Sequence, residues 1–212
     1  MGAAANCILS LAVVFAMQSH GQAVKEKNRM QHELRVGVRV QSTSDHLEFE
    51  YWFENPSEQP VLVFDRLWSM QANALDPNWA YVEIHDGRAE VKRAMEQLPQ
   101  GLRHENPAVP YGREIGPLAR ESGKFSLALP LKQHGEYDGF RYQGAQFHPA
   151  AVHSVTFSLG WCLKPAQLPP GIRPVEMNGE TLWLLPYTLV KEIQLAATAP
   201  AVQIEVMGEV LR

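Results

Sequence analysis

Strict apolar/polar alternation in two neighbouring stretches constrains this chain more than any other feature. Leu34, Val36, Val38 and Val40 alternate with Arg35, Gly37 and Arg39, and Leu47, Phe49, Tyr51 and Phe53 alternate with Glu48, Glu50, Trp52 and Glu54. A period of two fits a half-buried β-strand and cannot line one face of a helix. Gln41, Ser42, Thr43, Ser44 and Asp45 between the stretches are turn formers, so the pair reads as a hairpin or meander.

The same grammar continues along the chain. Pro56 and Pro60 interrupt before the β-type run Val61-Leu62-Val63-Phe64. Asp86-Gly87 lies between YVEIH and RAEVK, and Asn178-Gly179 lies between PVEM and ETLWLL. Both dipeptides suit a two-residue hairpin loop, which needs positive φ at both positions. Phe125, Leu127, Leu129 and Leu131 predict one further strand, and Val155, Phe157, Leu159 and Trp161 another. Two last strands are predicted over residues 187–195 and 202–207. Residues 94–123 read as a long connection with at most a short helix near 93–98, and residues 133–151 as an aromatic-rich loop. Nine or ten short strands with little helix predict an all-β fold, an antiparallel β-sandwich with long loops. Its core is expected to gather Leu34, Val36, Val38, Phe49, Tyr51, Phe53, Leu127, Leu129, Val155, Phe157 and Leu159 between two sheets.

The run LEFEYWFENPSEQPVLVFDRLW (residues 47–68) resembles the strand–Asn-Pro–strand unit of bacterial secreted immunoglobulin-like domains. LARESGKFSLALPLKQH (118–134) is similar to the segment of such domains in which a polar turn precedes a strand. Together they resemble uncharacterised proteobacterial exported proteins with an immunoglobulin-like β-sandwich. The resemblance covers roughly half the chain and implies fold and compartment, with no site residues.

The N-terminus agrees on compartment. Residues 1–23 contain no Lys, Arg, Asp or Glu, and residues 7–17 (CILSLAVVFAM) form an apolar run. Eleven residues are too few to cross about 30 Å of hydrocarbon as a helix. Gly21 and Ala23 suit the small-residue positions of a signal-peptidase site. The expectation is a signal peptide over 1–23, a single sandwich domain over 24–212, a periplasmic or secreted product and no transmembrane segment after cleavage. Cleavage would leave Cys162 as the only cysteine, in an apolar strand where a thiol acts as a small buried hydrophobe.

Function is less legible. The 212 residues carry 19 Lys+Arg against 23 Asp+Glu, a formal net charge of -4, with no basic cluster. That argues against nucleic acid as a partner, since phosphate neutralisation needs concentrated positive charge. His32-Glu33 and His104-Glu105 lack the second histidine of a zinc-protease helix. There is no G-x-S-x-G elbow, phosphate-cradling loop, dinucleotide fingerprint or EF-hand loop. Glu48, Glu50 and Glu54 share one strand face and read as solvated, because paired acids for catalysis must oppose one another in a cleft. No cofactor is implied. Trp52 falls in the polar phase of its strand, and Tyr137, Phe140 and Tyr142 lie in the aromatic loop. These four are the candidate contacts for a protein partner. The leading expectation is an exported, non-catalytic binding module recognising a protein partner, as an inhibitor, immunity-type or envelope assembly factor. A periplasmic metal-handling protein using His134, His148, His153 and Cys162 is the second reading. A hydrolase with dispersed catalytic residues is the third.

Overall fold

A computed structural model describes residues 33–69, 72–98 and 110–212. The predicted signal peptide and its cleavage site lie outside the described residues. The strands in chain order are β1 (Arg35–Ser42), β2 (His46–Glu54), β3 (Val61–Arg66), β4 (Trp68–Ser69), β5 (Ala74–Leu75), β6 (Tyr81–His85) and β7 (Arg88–Arg93). They continue with β8 (Tyr111–Ile115), β9 (Arg120–Ala128), β10 (Leu131–Lys132) and β11 (Phe147–Leu163). The last four are β12 (Arg173–Met177), β13 (Glu180–Leu184), β14 (Leu195–Thr198) and β15 (Val202–Leu211). Two short helices, α1 (Asp138–Arg141) and α2 (Tyr187–Ile193), complete the set.

β1, β2 and β9 form a three-stranded antiparallel sheet with β2 in the centre. The larger sheet runs β10-β15-β11-β3-β8-β13-β12, and the 17-residue β11 also pairs with β14 and β7. The larger sheet is mixed, because β7 runs parallel to β11 and β10 parallel to β15. Packed together, the two sheets make an all-β, sandwich-like unit over Leu34–Arg212.

Alternation in β2 translates directly into burial. Leu47, Phe49, Tyr51 and Phe53 are buried against residues of the larger sheet. Phe125 of β9 sits opposite Phe49, their rings stacked at 4.5 Å, and Phe157 of β11 closes the group at 5.1 Å from the Tyr51 ring. The expected core residues all belong to this cluster, with Val36, Val38 and Leu129 only partly buried. Val61 and Val63 point into it, whereas Leu62 and Phe64 enter a second cluster with Met95, Cys162, Ile172, Leu185 and Val190. A continuous apolar run is what a strand covered on both faces requires.

Turn chemistry behaves as read. Asp86 and Gly87 have φ of 50° and 73°, and Asn178 and Gly179 have 54° and 76°. Four expectations change. Residues 187–193 are helical, because Tyr187, Val190 and Ile193 recur every third residue and pack on the second cluster, Val190 deepest. The supposed connection 94–123 contains β8 and the start of β9. Residues 93–98 hold no helix; there the side-chain amide of Gln194 brackets Met95, accepting from its N–H and donating to its C=O, both at 2.9 Å. The aromatic segment 133–151 holds α1 and the first residues of β11.

Candidate functional site

At one end of the sandwich the inward-facing positions turn polar on four strands. In β3 the inward series runs Val61, Val63, Asp65, and in β7 it runs Ala89, Val91, Arg93. β8 adds Arg113 two positions before Ile115, and β9 places Glu121 and Gly123 ahead of Phe125 and Leu127. Tyr51 of β2, paired beside β9 in the three-stranded sheet, reaches this end across from β3, β7 and β8.

These groups form a buried network. The Tyr51 hydroxyl donates to Asp65 Oδ2 at 2.9 Å. Arg113 grips the same carboxylate with two parallel bonds, Nη2 to Oδ2 at 2.7 Å and Nε to Oδ1 at 3.3 Å. Arg66 Nη1 approaches Asp65 Oδ2 at 3.2 Å, while its Nε donates to Glu180 Oε2 at 2.8 Å. Arg113 Nη1 also donates to Glu121. Burial alone raises the Asp65 pKa, but hydrogen bonds from Arg113 and the charges of Arg113, Arg66 and Arg93 outweigh it, and the carboxyl is held below its ordinary range. Tyr51 moves the other way: burial, together with the Asp65 charge, pushes its phenol up to about 12. At neutral pH Asp65 is therefore a fixed acceptor and Tyr51 a fixed donor.

Arg93 is the exception in this satisfied network. It is 1% exposed, and its guanidinium carbon lies 4.9 Å over the Phe125 ring. Its Nη1 donates to the Tyr51 oxygen at 3.3 Å, whereas Nε and Nη2 have no hydrogen-bond partner. A buried donor left unmade costs about 1–3 kcal/mol, and more when it is charged. Arg93 lines a cavity of about 310 Å³ together with Tyr51, Arg66, Lys124, Asp76 and Glu180. Local sequence places the rim: the Asn178-Gly179 turn delivers Glu180, and a turn after β5 presents Asp76, whose Oδ1 accepts from the Asn78 N–H at 2.8 Å. Gly123 admits Tyr51, because a Cβ there would stand 2.3 Å from the phenol ring.

The residues singled out from the sequence are dispersed. Trp52 is 38% exposed on the outer face of the three-stranded sheet. Its ring lies over Gly37, where a Cβ would come within 2.2 Å of Cζ2, and the Arg120 guanidinium is 5.9 Å from the ring. It lines a shallow depression of about 590 Å³ with Arg39, Glu50, Arg120 and Lys124. Tyr137 is buried, Phe140 on α1 is 58% exposed, and Tyr142 lines a different depression with His85 and Arg212. His134 contacts the Lys132 carbonyl through Nδ1 at 3.0 Å and rests 5.0 Å from the Trp79 ring. His148 is exposed on β11, and His153 Nδ1 lies 2.7 Å from Glu205 Oε2. Cys162 faces the second apolar cluster, where burial pushes its thiol up to about 12. Among the described residues, no group of three or more His, Cys, Asp or Glu side chains is placed to hold a metal ion.

The sequence did carry a signal for the buried network. Asp65, Arg93, Arg113 and Glu121 each occupy the inward phase of a strand whose neighbouring inward residues are apolar or glycine. Comparison of the chain with protein-family models, curated proteins and solved structures finds no match.

Proposed function

We propose that the chain is an exported binding module that recognises a protein partner at the Arg93 end of its sandwich. The observation carrying this reading is the buried Arg93 guanidinium, half unpartnered, in the wall of a 310 Å³ cavity. The neighbouring charges are committed to one another: Asp65 to Arg113, and Glu180 to Arg66. Such locked pairs shape and orient the surface around the cavity that Arg93 lines. Loops and turns at the end of a rigid sandwich are where recognition residues commonly sit.

The test begins with capture of the partner from an envelope extract on the wild-type protein. Met177 on the cavity rim and Trp52 on the outer sheet face are then replaced separately. Met177→Glu is expected to weaken the captured complex about tenfold or more with little change in melting temperature, while Trp52→Ala has a smaller effect. The reverse pattern moves recognition to the Trp52 face, and unchanged binding in both variants refutes the reading.

A further inference from the structure

We propose that the outer edge of β9 over residues 120–124 is a docking edge that takes up one extended, acidic segment of a protein partner as an added β-strand. The inference rests on the reading of this end as the recognition site and adds the form and charge of what is recognised. β9 is an outer strand of the three-stranded sheet. The Asn55 N–H donates to the Ala119 carbonyl at 2.9 Å, and the Leu129 N–H donates to the Asp45 carbonyl at 2.8 Å. The odd-numbered residues of β9 therefore bond across to β2, and the even-numbered ones turn their N–H and C=O groups outward. Ser126 agrees with this phase, because its N–H donates away from β2 to Asn78 Oδ1 at 3.1 Å. Asn78 closes the edge there. Among the described residues, the outward backbone groups of Arg120, Ser122 and Lys124 have no hydrogen-bond partner.

An edge of this kind is ordinarily blunted by a proline, a bulge or a covering loop. β9 pairs with β2 in unbroken register from Arg120 to Ala128 and holds no proline there. Concave surface borders the open stretch on both sides. The outer depression of about 590 Å³ is lined by Trp52, Arg120, Ser122 and Lys124, and the cavity of about 310 Å³ by Tyr51, Gly123, Lys124 and Met177. Successive side chains of an added strand point to opposite faces, so they enter the two hollows alternately. Charge selects the occupant. Arg120 is exposed and pairs with no carboxylate among the described residues, and Lys124 contacts Glu50 yet keeps 77% of its side chain exposed. These charges disfavour a second copy of β9. Antiparallel self-pairing about Ser122 sets Arg120 opposite Lys124 twice, and like charges directly opposite are destabilising. An incoming strand with acidic residues at i and i+4 meets both cations instead.

The probe is the acetylated and amidated heptapeptide Thr-Glu-Val-Ser-Val-Glu-Thr, which sets its glutamates opposite Arg120 and Lys124. Its palindromic sequence serves parallel and antiparallel addition alike. The control peptide carries lysine in place of both glutamates. The readout is amide hydrogen exchange of the full chain, followed residue by residue by NMR. The acidic peptide should saturably slow exchange at Ser122 and Lys124, with little change at Gly123 and Phe125, which already face β2. It should bind about tenfold or more tightly than the lysine peptide. Ser122→Pro removes an outward donor and spares the ladder to β2, a placement that edge strands tolerate. It should weaken both the acidic peptide and the captured partner about tenfold or more. Should that variant fold poorly, Arg120→Gln combined with Lys124→Gln takes its place and should erase the preference for the acidic peptide. Unchanged exchange at Ser122 and Lys124, equal binding of the two peptides, or undiminished peptide binding by Ser122→Pro overturns the inference. Protection of the edge that grows with protein concentration alone, with a dimer in sedimentation, assigns it to a second copy and overturns the inference too. If Met177→Glu abolishes partner capture while Ser122→Pro leaves it intact, only the strand addition falls. If the acidic peptide binds at the edge and both variants leave capture intact, the recognition-site reading falls instead.

Discussion

Asp65→Asn tests the buried network most directly, because it removes one charge and almost no volume. Asp65 accepts from Tyr51 at 2.9 Å and from Arg113 at 2.7 and 3.3 Å, and pairs with Arg66 at 3.2 Å. An asparagine keeps one acceptor oxygen and turns an NH₂ group toward donors. Breaking one side of a buried ion pair costs about 3–5 kcal/mol. Arg113 retains Glu121 and Glu180, which places the expected loss near the lower end, about 3 kcal/mol. With a urea m-value of about 2 kcal/mol/M, the midpoint at pH 7 should fall by about 1.5 M. The dependence on pH carries a definite sign. The folded-state pKa of Asp65 lies below the value of about 3.9 for an unfolded aspartate, so its stabilisation is complete above that value and is lost as pH falls through the folded pKa. The gap between wild type and Asp65→Asn should therefore be widest at neutral pH and close in acid. Urea unfolding followed by tryptophan fluorescence from pH 7 down to pH 3 measures it. A loss below about 1 kcal/mol at pH 7, or a gap that stays constant into acid, refutes the account.

Two further outcomes are expected. Gly123→Ala and Gly37→Ala both set a Cβ within 2.3 Å of an aromatic ring, but Tyr51 is buried and tied to Asp65 whereas Trp52 is partly exposed and free to swing outward. Gly123→Ala should cost about 1–3 kcal/mol in thermal unfolding and Gly37→Ala clearly less, and equal costs would contradict the packing described. If the chain is exported as proposed, N-terminal sequencing of the protein from an envelope fraction should begin at Val24, and a product retaining Cys7 would contradict it.

The architecture was legible wherever local rules act alone. Alternation in β2, the double-sided run at Val61–Phe64 and the two positive-φ turns each follow from a few adjacent residues. The α2 segment misled because its residues permit both strand and helix, and packing on the second cluster decides between them. Trp52 stood out correctly as an aromatic in the polar phase, but its cover is Gly37, directly opposite on β1, which only the strand register reveals. The buried network was harder still. Arg113 is 48 residues from Asp65, and Arg93 is 42 residues from Tyr51. Seen singly, Asp65 or Arg93 marks the polar end of a strand. Four such residues at the inward end of four strands become one network only once the sheet order is known.

A core of this kind gains little stability from ions. Apolar residues of similar volume often replace a buried ion pair at no loss, and the same sandwich elsewhere fills its interior with Phe49, Phe125 and Phe157. The polar end asks for concessions beyond the charges themselves. Gly123 gives up side-chain packing in the middle of β9, and that concession is what lets the Tyr51 ring reach across to Asp65 and receive Arg93. Arg93, in turn, is held in place by Tyr51 and Phe125 while its bidentate edge goes unused by the fold. Stability alone would favour a leucine at residue 93 and a larger residue at 123. Glycine at 123, tyrosine at 51 and arginine at 93 are accounted for better by the recognition role proposed for this end than by stability.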